Sequence, residues 1–132
     1  MANETKKILI VEDEKMFREL FIEKLQEEGF SAFEAEDGEK GLKLALKEKP
    51  DLILLDILMP VMDGLTMMKK LREDSWGKNV DVILLTNLSA TEESTIKAMV
   101  DYEPLYYLVK SAWSFKDIME KIKETLNAQN TN

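Results

Sequence analysis

The sequence predicts a three-layer α/β domain, a parallel five-stranded sheet covered by helices on both faces. Three observations carry this. Short apolar runs of strand length at 8–11, 30–36, 52–55, 80–85 and 105–109 alternate with segments whose apolar residues recur at helical spacing. Most of these runs are continuous rather than alternating, as in strands buried on both sides. Each run is separated from the next by a helix-length segment, so successive strands are joined by right-handed crossovers and lie parallel.

Taken in order, Ile8-Leu9-Ile10-Val11 is a strand that ends in the acidic triplet Glu12-Asp13-Glu14. Phe17, Leu20, Phe21 and Leu25 then fall on one helical face, and Gly29 is a natural stop. Residues 30–36 alternate apolar and polar, which reads as a less buried edge strand. Asp37-Gly38 is a turn, after which Leu42, Ala45 and Leu46 form the second helical stripe, ending before Pro50. The run Leu52 to Leu55 is too short for a globular helix and suits a central strand, and Pro60 and Gly64 turn the chain after it.

Leu65, Met68 and Leu71 mark a third helix, closed by the polar segment Asp74 to Gly77. Val80 to Leu85 is the fourth strand and delivers Thr86-Asn87 at its end. Ser89 with Glu92 has capping-box spacing and opens a fourth helix carrying Ile96, Met99 and Val100. Leu105 to Val109 is the fifth strand, ending in Lys110, and Ser114 with Asp117 caps a last helix. Phe115, Ile118, Met119, Ile122 and Leu126 form its stripe, whereas Asn127 to Asn132 carry none and are expected to fray. The organisation is one domain over 1–132, with a core of about 7–126 and frayed tails at 1–5 and 127–132.

Composition narrows the function classes. The 132 residues, 45% hydrophobic, suffice for one proper core, and with no cysteine neither disulfides nor thiolate metal sites arise. No apolar signal follows the charged start and no run reaches membrane-spanning length, so a cytoplasmic soluble protein without a membrane partner is expected. The formal net charge of −8 disfavours a nucleic-acid surface.

Function is legible at the strand ends. In open parallel sheets ligands bind beyond the carboxyl ends of the strands. The residues there are Glu12 and Asp13, Asp56, Thr86 and Lys110, converging from four separate segments. A carboxylate directly after four buried apolar residues, as Asp56 is, is costly unless paired, hydrogen-bonded or metal-bound. Three close carboxylates repel one another unless a cation compensates, and an oxygen-only set suits Mg2+ better than Zn2+ or copper. Lys110 adds a compact positive charge for an external anion, and Thr86 adds a hydroxyl. Together these equip a site for in-line phosphoryl transfer, with Asp56 on the rigid central strand as nucleophile.

The motifs VED at Val11 to Asp13, LLDILMPVMDG at Leu54 to Gly64, LLTN ending in Asn87 and YLVK at Tyr107 to Lys110 follow successive strands in order. In this the chain resembles the receiver domains of two-component response regulators, over roughly Lys7 to Leu126. The resemblance implies a (βα)5 flavodoxin-like, CheY-like fold with strand order 2-1-3-4-5. It implies that Asp56 accepts a phosphoryl group from a histidine kinase or phosphotransfer protein. Mg2+ would be ligated by Asp13, Asp56 and the backbone carbonyl of Leu58, with Glu12 acting through water. Thr86 and Lys110 would bind the phosphoryl oxygens, and Tyr107 would be the aromatic that turns inward as Thr86 moves. The product would be a phosphoacceptor signalling switch rather than an enzyme. A stand-alone receiver of this kind would act on an unidentified downstream protein through its fourth helix, fifth strand and fifth helix. It would be a monomer or a weak, phosphorylation-dependent dimer.

Several positions depart from the family pattern. Ser111 follows Lys110 where the family has proline, and Asn87 replaces a small residue. Leu58 and Leu88, the variable positions flanking the phosphoryl group, are both apolar, so neither orients an attacking water. These three, Leu58, Asn87 and Leu88, are the expected tuning positions. The segment from Asp101 to Tyr106 lacks the usual Gly-Ala pair. Singly, each site residue has a plainer reading: Asp13 as a turn residue, Thr86 as a strand-end cap, Lys110 as a solvated charge, Tyr107 as half-buried core. Joint occurrence at successive strand ends favours the site. Two other functions remain: a pseudo-receiver that binds partners without phosphorylation, and a phosphatase of haloacid-dehalogenase type. The latter needs an Asp two residues after the nucleophile, where this chain has Leu58.

Overall fold

The computed structural model describes residues 5–87 and 93–129. Five parallel strands, β1 (Lys7–Val11), β2 (Ser31–Ala35), β3 (Leu52–Leu55), β4 (Asp81–Thr86) and β5 (Tyr106–Val109), form one sheet of order β2-β1-β3-β4-β5. The helices are α1 (Lys15–Glu27), α2 (Gly38–Glu48), α3 (Gly64–Glu73), α4 (Glu93–Tyr102) and α5 (Phe115–Gln129), with a 3-10 turn at Lys110–Ala112 before the last. This is the flavodoxin-like arrangement expected from the sequence. Among the described residues no helix is long and apolar enough to cross a membrane.

Strict alternation along the inner strands sorts the core into two halves. Ile8, Ile10, Leu52, Leu54, Ile83, Leu85 and Leu108 face α1 and α5, where Phe21, Leu25, Ile118, Ile122 and Leu126 meet them. Their neighbours Leu9, Val11, Ile53, Leu55, Val82 and Leu84 face the other way, against Met67, Met68 and Leu71 of α3 and Ala45 of α2. Both faces of β1, β3 and β4 are therefore buried, which is why these strands read as unbroken apolar runs. Burial fixes their register, since a slip of one residue would exchange the two halves of the core.

Local chemistry sets the helix starts. Asp37 accepts a hydrogen bond from Lys40 N at 2.8 Å and Asp63 one from Thr66 N at 2.8 Å, capping α2 and α3. Ser114 accepts from Asp117 N at 3.1 Å, as its spacing predicts. The Ser89–Glu92 box lies outside the described residues.

Four sequence expectations are corrected. On α1 the buried line is Phe17, Phe21 and Leu25 with Ile22 beside it, and Leu20, on the opposite flank, is exposed. On α2 the buried positions are Gly38, Gly41 and Ala45, because the helix lies close to the Met62 loop at Gly38 and to β1 at Gly41; Leu46 is displaced to the surface. A Cβ on Gly41 would meet Val11 Cγ1 at 2.8 Å. On α4 the buried residues are Thr95 and Ala98, while Ile96 and Val100 face outward. Finally, α5 does not fray at Asn127 but runs to Gln129. The Gln129 amide donates to Asp51 O and to Asp81 Oδ2, each at 2.9 Å, and its oxygen accepts from Lys6 Nζ at 3.2 Å. Hydrogen bonds, invisible to an apolar-stripe argument, hold this last turn.

Candidate phosphoacceptor site

The site lies at the carboxyl edge of the sheet, where β1, β3, β4 and β5 end. Parallel pairing brings these ends level: Val11 stands opposite Leu55 and Thr86 opposite Val109. Glu12 and Asp56 each follow a fully buried strand residue and are themselves only 4% and 6% exposed. Backbone hydrogen bonds extend the ladder through them, from Glu12 N to Ala35 O and from Asp56 N to Val11 O, both 3.0 Å.

The loop after Asp56 is held by backbone contact as well as by the packing of Ile57, Met59 and Met62 against the core. Gly64 N donates to Ile57 O at 2.8 Å, and a Cβ at Gly64 would stand 2.2 Å from Asp56 O. Only glycine lets the start of α3 come this close to the carboxylate-bearing residue. Gly38 makes a similar approach from α2, donating to Met62 O at 3.0 Å. Between them Met62 N donates to Pro60 O, leaving Val61 at φ 67°, a conformation unfavourable for a β-branched residue.

Glu12, Asp13 and Asp56 can bring one carboxylate oxygen each to within 4.8 Å of one another. The buried pair is met by Lys110, whose Nζ lies 2.6 Å from Glu12 Oε1 and 3.3 Å from Asp56 Oδ2. Asp56 Oδ1 accepts from Leu58 N at 3.3 Å, and Glu12 Oε2 from Glu14 N at 3.0 Å. Burial, reinforced by the Asp56 charge, pushes the Glu12 carboxyl up to about 7 against the opposing pull of Lys110 and the Glu14 amide. Burial alone would lower Lys110, but the hydrogen bond to Glu12 and the two carboxylate charges hold it above its ordinary value.

Thr86 is fully buried at the end of β4, and Asn87 beside it is exposed. Glu12, Asp13, Asp56, Leu58, Thr86, Asn87 and Lys110 line one open depression. Tyr107 stands apart, half-buried on the edge strand β5, opposite Leu84 and so two residues before the level of Thr86, which pairs with Val109. Leu88 lies outside the described residues. The Lys110–Ser111 bond is trans, and Lys110 opens the 3-10 turn rather than prolonging β5.

Two contributors escaped the sequence reading. Arg18 donates from Nη1 to Glu12 O at 2.8 Å and from Nε to Glu34 Oε1 at 2.7 Å, bracing the β1–α1 turn that carries two of the carboxylates. Phe17 lies under Lys110, its ring centroid 4.6 Å from Nζ. Neither position carries a sequence signal of its own, because Arg18 reads as a solvated helix charge and Phe17 as core.

The donor set is all oxygen, partly buried, with an open side, and so fits a hard divalent cation such as Mg2+. A carboxylate on a central strand, a cation site beside it and a buried ammonium are equipment for handling a phosphoryl group. The model of the response regulator receiver domain matches residues 8–123. The chain belongs to that family. As a receiver domain it is 38% identical over 108 residues to a probable C4-dicarboxylate response regulator, DctR, of Halalkalibacterium halodurans, covering 79% of this chain and 44% of that protein. The chain thus spans less than half the length of that relative. It is 41% identical over 86 residues to sporulation initiation phosphotransferase F of Bacillus subtilis, covering 65% of this chain and 66% of the relative. Among solved structures, the response regulator protein TrrA of Thermotoga maritima, in complex with Mg(2+)-BeF, matches with a TM-score of 0.75 and 38% identity. The match covers 92% of this receiver domain and 99% of the other chain.

Proposed function

We propose that this receiver domain takes a phosphoryl group from a phosphohistidine donor onto Asp56, in a Mg2+-dependent reaction, and passes the signal on by a change of surface. The observation that carries the proposal is the convergence of Glu12, Asp13, Asp56, Thr86 and Lys110 from four strand ends into one depression. An Asp56 carboxylate oxygen forms the new bond to phosphorus while the bond to the donor imidazole breaks, and the electron pair of that bond leaves with the imidazole. Lys110 compensates charge that gathers on the phosphoryl oxygens, and the buried Thr86 hydroxyl receives one of them. Asp13, Asp56 and the Leu58 carbonyl would hold Mg2+, with Glu12 reaching it through water; when bound, the ion neutralises the carboxylates and the transferring group. A Mg(2+)-BeF complex of a matching structure and a phosphotransferase among the relatives support this reading.

The output surface we assign is that of α4, β5 and α5. Ile96, Val100, Leu105 and Tyr106 are exposed there at 47, 70, 43 and 38%, an apolar surface suited to a protein partner. Thr86 at the phosphoryl site pairs with Val109 across the β4–β5 ladder, two residues along β5 from Tyr107, which gives the site a short route to that surface. The donor is a histidine kinase or phosphotransfer protein.

Incubation with acetyl phosphate and Mg2+, followed by intact-mass measurement, tests the reading. A single phosphoryl adduct, lost in Asp56→Asn and without Mg2+, is the expected result. No adduct with any donor would favour a phosphorylation-independent binding module, and continuous turnover of a phosphoester would favour a phosphatase.

A further inference from the structure

We propose that Phe17 is a positioning residue for Lys110, its ring face keeping the ammonium within reach of Asp56 before and after phosphoryl transfer; this rests on the phosphoacceptor reading above. Lys110 reaches the site on a flexible four-carbon stem, and its partners change during the reaction. In the resting domain Nζ is held by Glu12 at 2.6 Å and Asp56 at 3.3 Å. Once Asp56 carries a phosphoryl group, the carboxylate charge is gone from that oxygen and the phosphoryl oxygens compete for the ammonium. The Asp56 contact is then lost as it stood, and the Glu12 contact faces competition from the phosphoryl oxygens. The attraction of the Phe17 ring, 4.6 Å from Nζ to centroid, does not depend on which anion is present.

The ring is itself held in place. Phe17 packs against Phe21 with centroids 5.0 Å apart, and Phe21, fully buried, packs against Phe115 at 4.8 Å. Phe115 is the first residue of α5, shortly after the 3-10 turn that Lys110 opens. The backbone from Lys110 to Phe115, the three rings and the Lys110 side chain thus close a loop that ties the ammonium to α1 and α5. The Phe17 ring serves core packing on one side and meets the ammonium on the other. Phe17 is only half-buried at the rim, and a leucine would cover the same ground without offering a π face.

The test compares Phe17→Leu and Phe17→Tyr with the parent receiver domain. By NMR, the Lys110 ε-methylene protons should be shifted upfield by the ring current in the parent and in Phe17→Tyr, and return to ordinary values in Phe17→Leu. Phosphorylation by acetyl phosphate should slow about three- to thirtyfold in Phe17→Leu and recover in Phe17→Tyr, with both variants cooperatively folded by thermal melting. Unshifted Lys110 protons in the parent, an unslowed Phe17→Leu, or equal slowing in both variants would overturn the assignment. A parent that forms no adduct would overturn the phosphoacceptor reading and the catalytic consequence with it. A normal adduct without the ring shift would overturn the Phe17 contact alone.

Discussion

Lys110 Nζ sits closer to Glu12, at 2.6 Å, than to Asp56, at 3.3 Å, so the ammonium that faces the phosphoacceptor is primarily held by its neighbour. Two buried carboxylates share this one cation, and Glu12, raised to about 7 chiefly by burial, is where a proton resides near neutrality. A divalent cation drawing on Glu12, Asp13 and Asp56 must displace that proton. Mg2+ affinity should therefore rise as pH increases from 6 to 8, with proton release visible by calorimetry in buffers of different ionisation enthalpy. The linkage for the metal-free domain has the opposite sense. The folded carboxyl binds its proton more tightly than the unfolded one, at the ordinary 4.5, so stability declines as pH rises from 4.5 towards 7. Glu12→Gln should flatten both profiles.

Leu58 lies two residues after Asp56 and is 54% exposed at the mouth of the site. It offers no group to orient a hydrolytic water, so the phosphorylated domain should lose its phosphoryl group slowly. Leu58→Asn should accelerate that loss about tenfold, the worth of roughly one hydrogen bond to the attacking water. Phosphate release from purified phosphorylated protein measures it, and rapid loss that the substitution leaves unchanged would refute the argument.

Thr95 on α4 is fully buried, and its hydroxyl has no hydrogen-bond partner among the described residues. Such a group costs about 1–3 kcal/mol relative to one that is paired. Thr95→Val keeps the shape and removes the unpaired hydroxyl, so the domain should gain about 1 kcal/mol. The gain should be concentrated in α4, as slower amide hydrogen exchange along 95–102. If α4 is the element that moves on phosphorylation, a helix held more firmly should also bind the downstream partner less readily when Asp56 is phosphorylated.

The fold was readable because β1, β3 and β4 bury both faces, which writes continuous apolar runs into the sequence, and because the polar residues at their ends interrupt those runs abruptly. Glu12, Asp13, Asp56 and Thr86 stand out by that interruption, and Lys110 by its place at the end of the fifth strand. What stayed hidden depends on approach in three dimensions. Gly64 reads as a turn residue until a Cβ on it is seen to collide with Asp56 O. The apolar stripe of α4 misleads because its inward positions are the small Thr95 and Ala98, leaving Ile96 and Val100 to solvent. Phe17 touches the site through Lys110, and Arg18, held by Glu34, braces the Glu12 carbonyl; neither Lys110 nor Glu34 is a partner that local spacing encodes.

Gln129 supplies a final case in which side-chain hydrogen bonds override a local expectation. Its amide donates to Asp51 O and Asp81 Oδ2, both 2.9 Å, at the edge of the sheet opposite the site, and Lys6 Nζ donates to its oxygen at 3.2 Å. These bonds tie the end of α5 to the segments that enter β1, β3 and β4. Gln129→Ala should cost about 1–2 kcal/mol, since the Asp81 and Asp51 acceptors are part-buried and lose a donor. The substitution should lower the melting temperature by a few degrees and release the last turn of α5 to rapid amide exchange, while leaving the rate of phosphorylation at Asp56 unchanged. A variant that melted like the parent would show that the apolar stripe ending at Leu126 is sufficient to hold the helix.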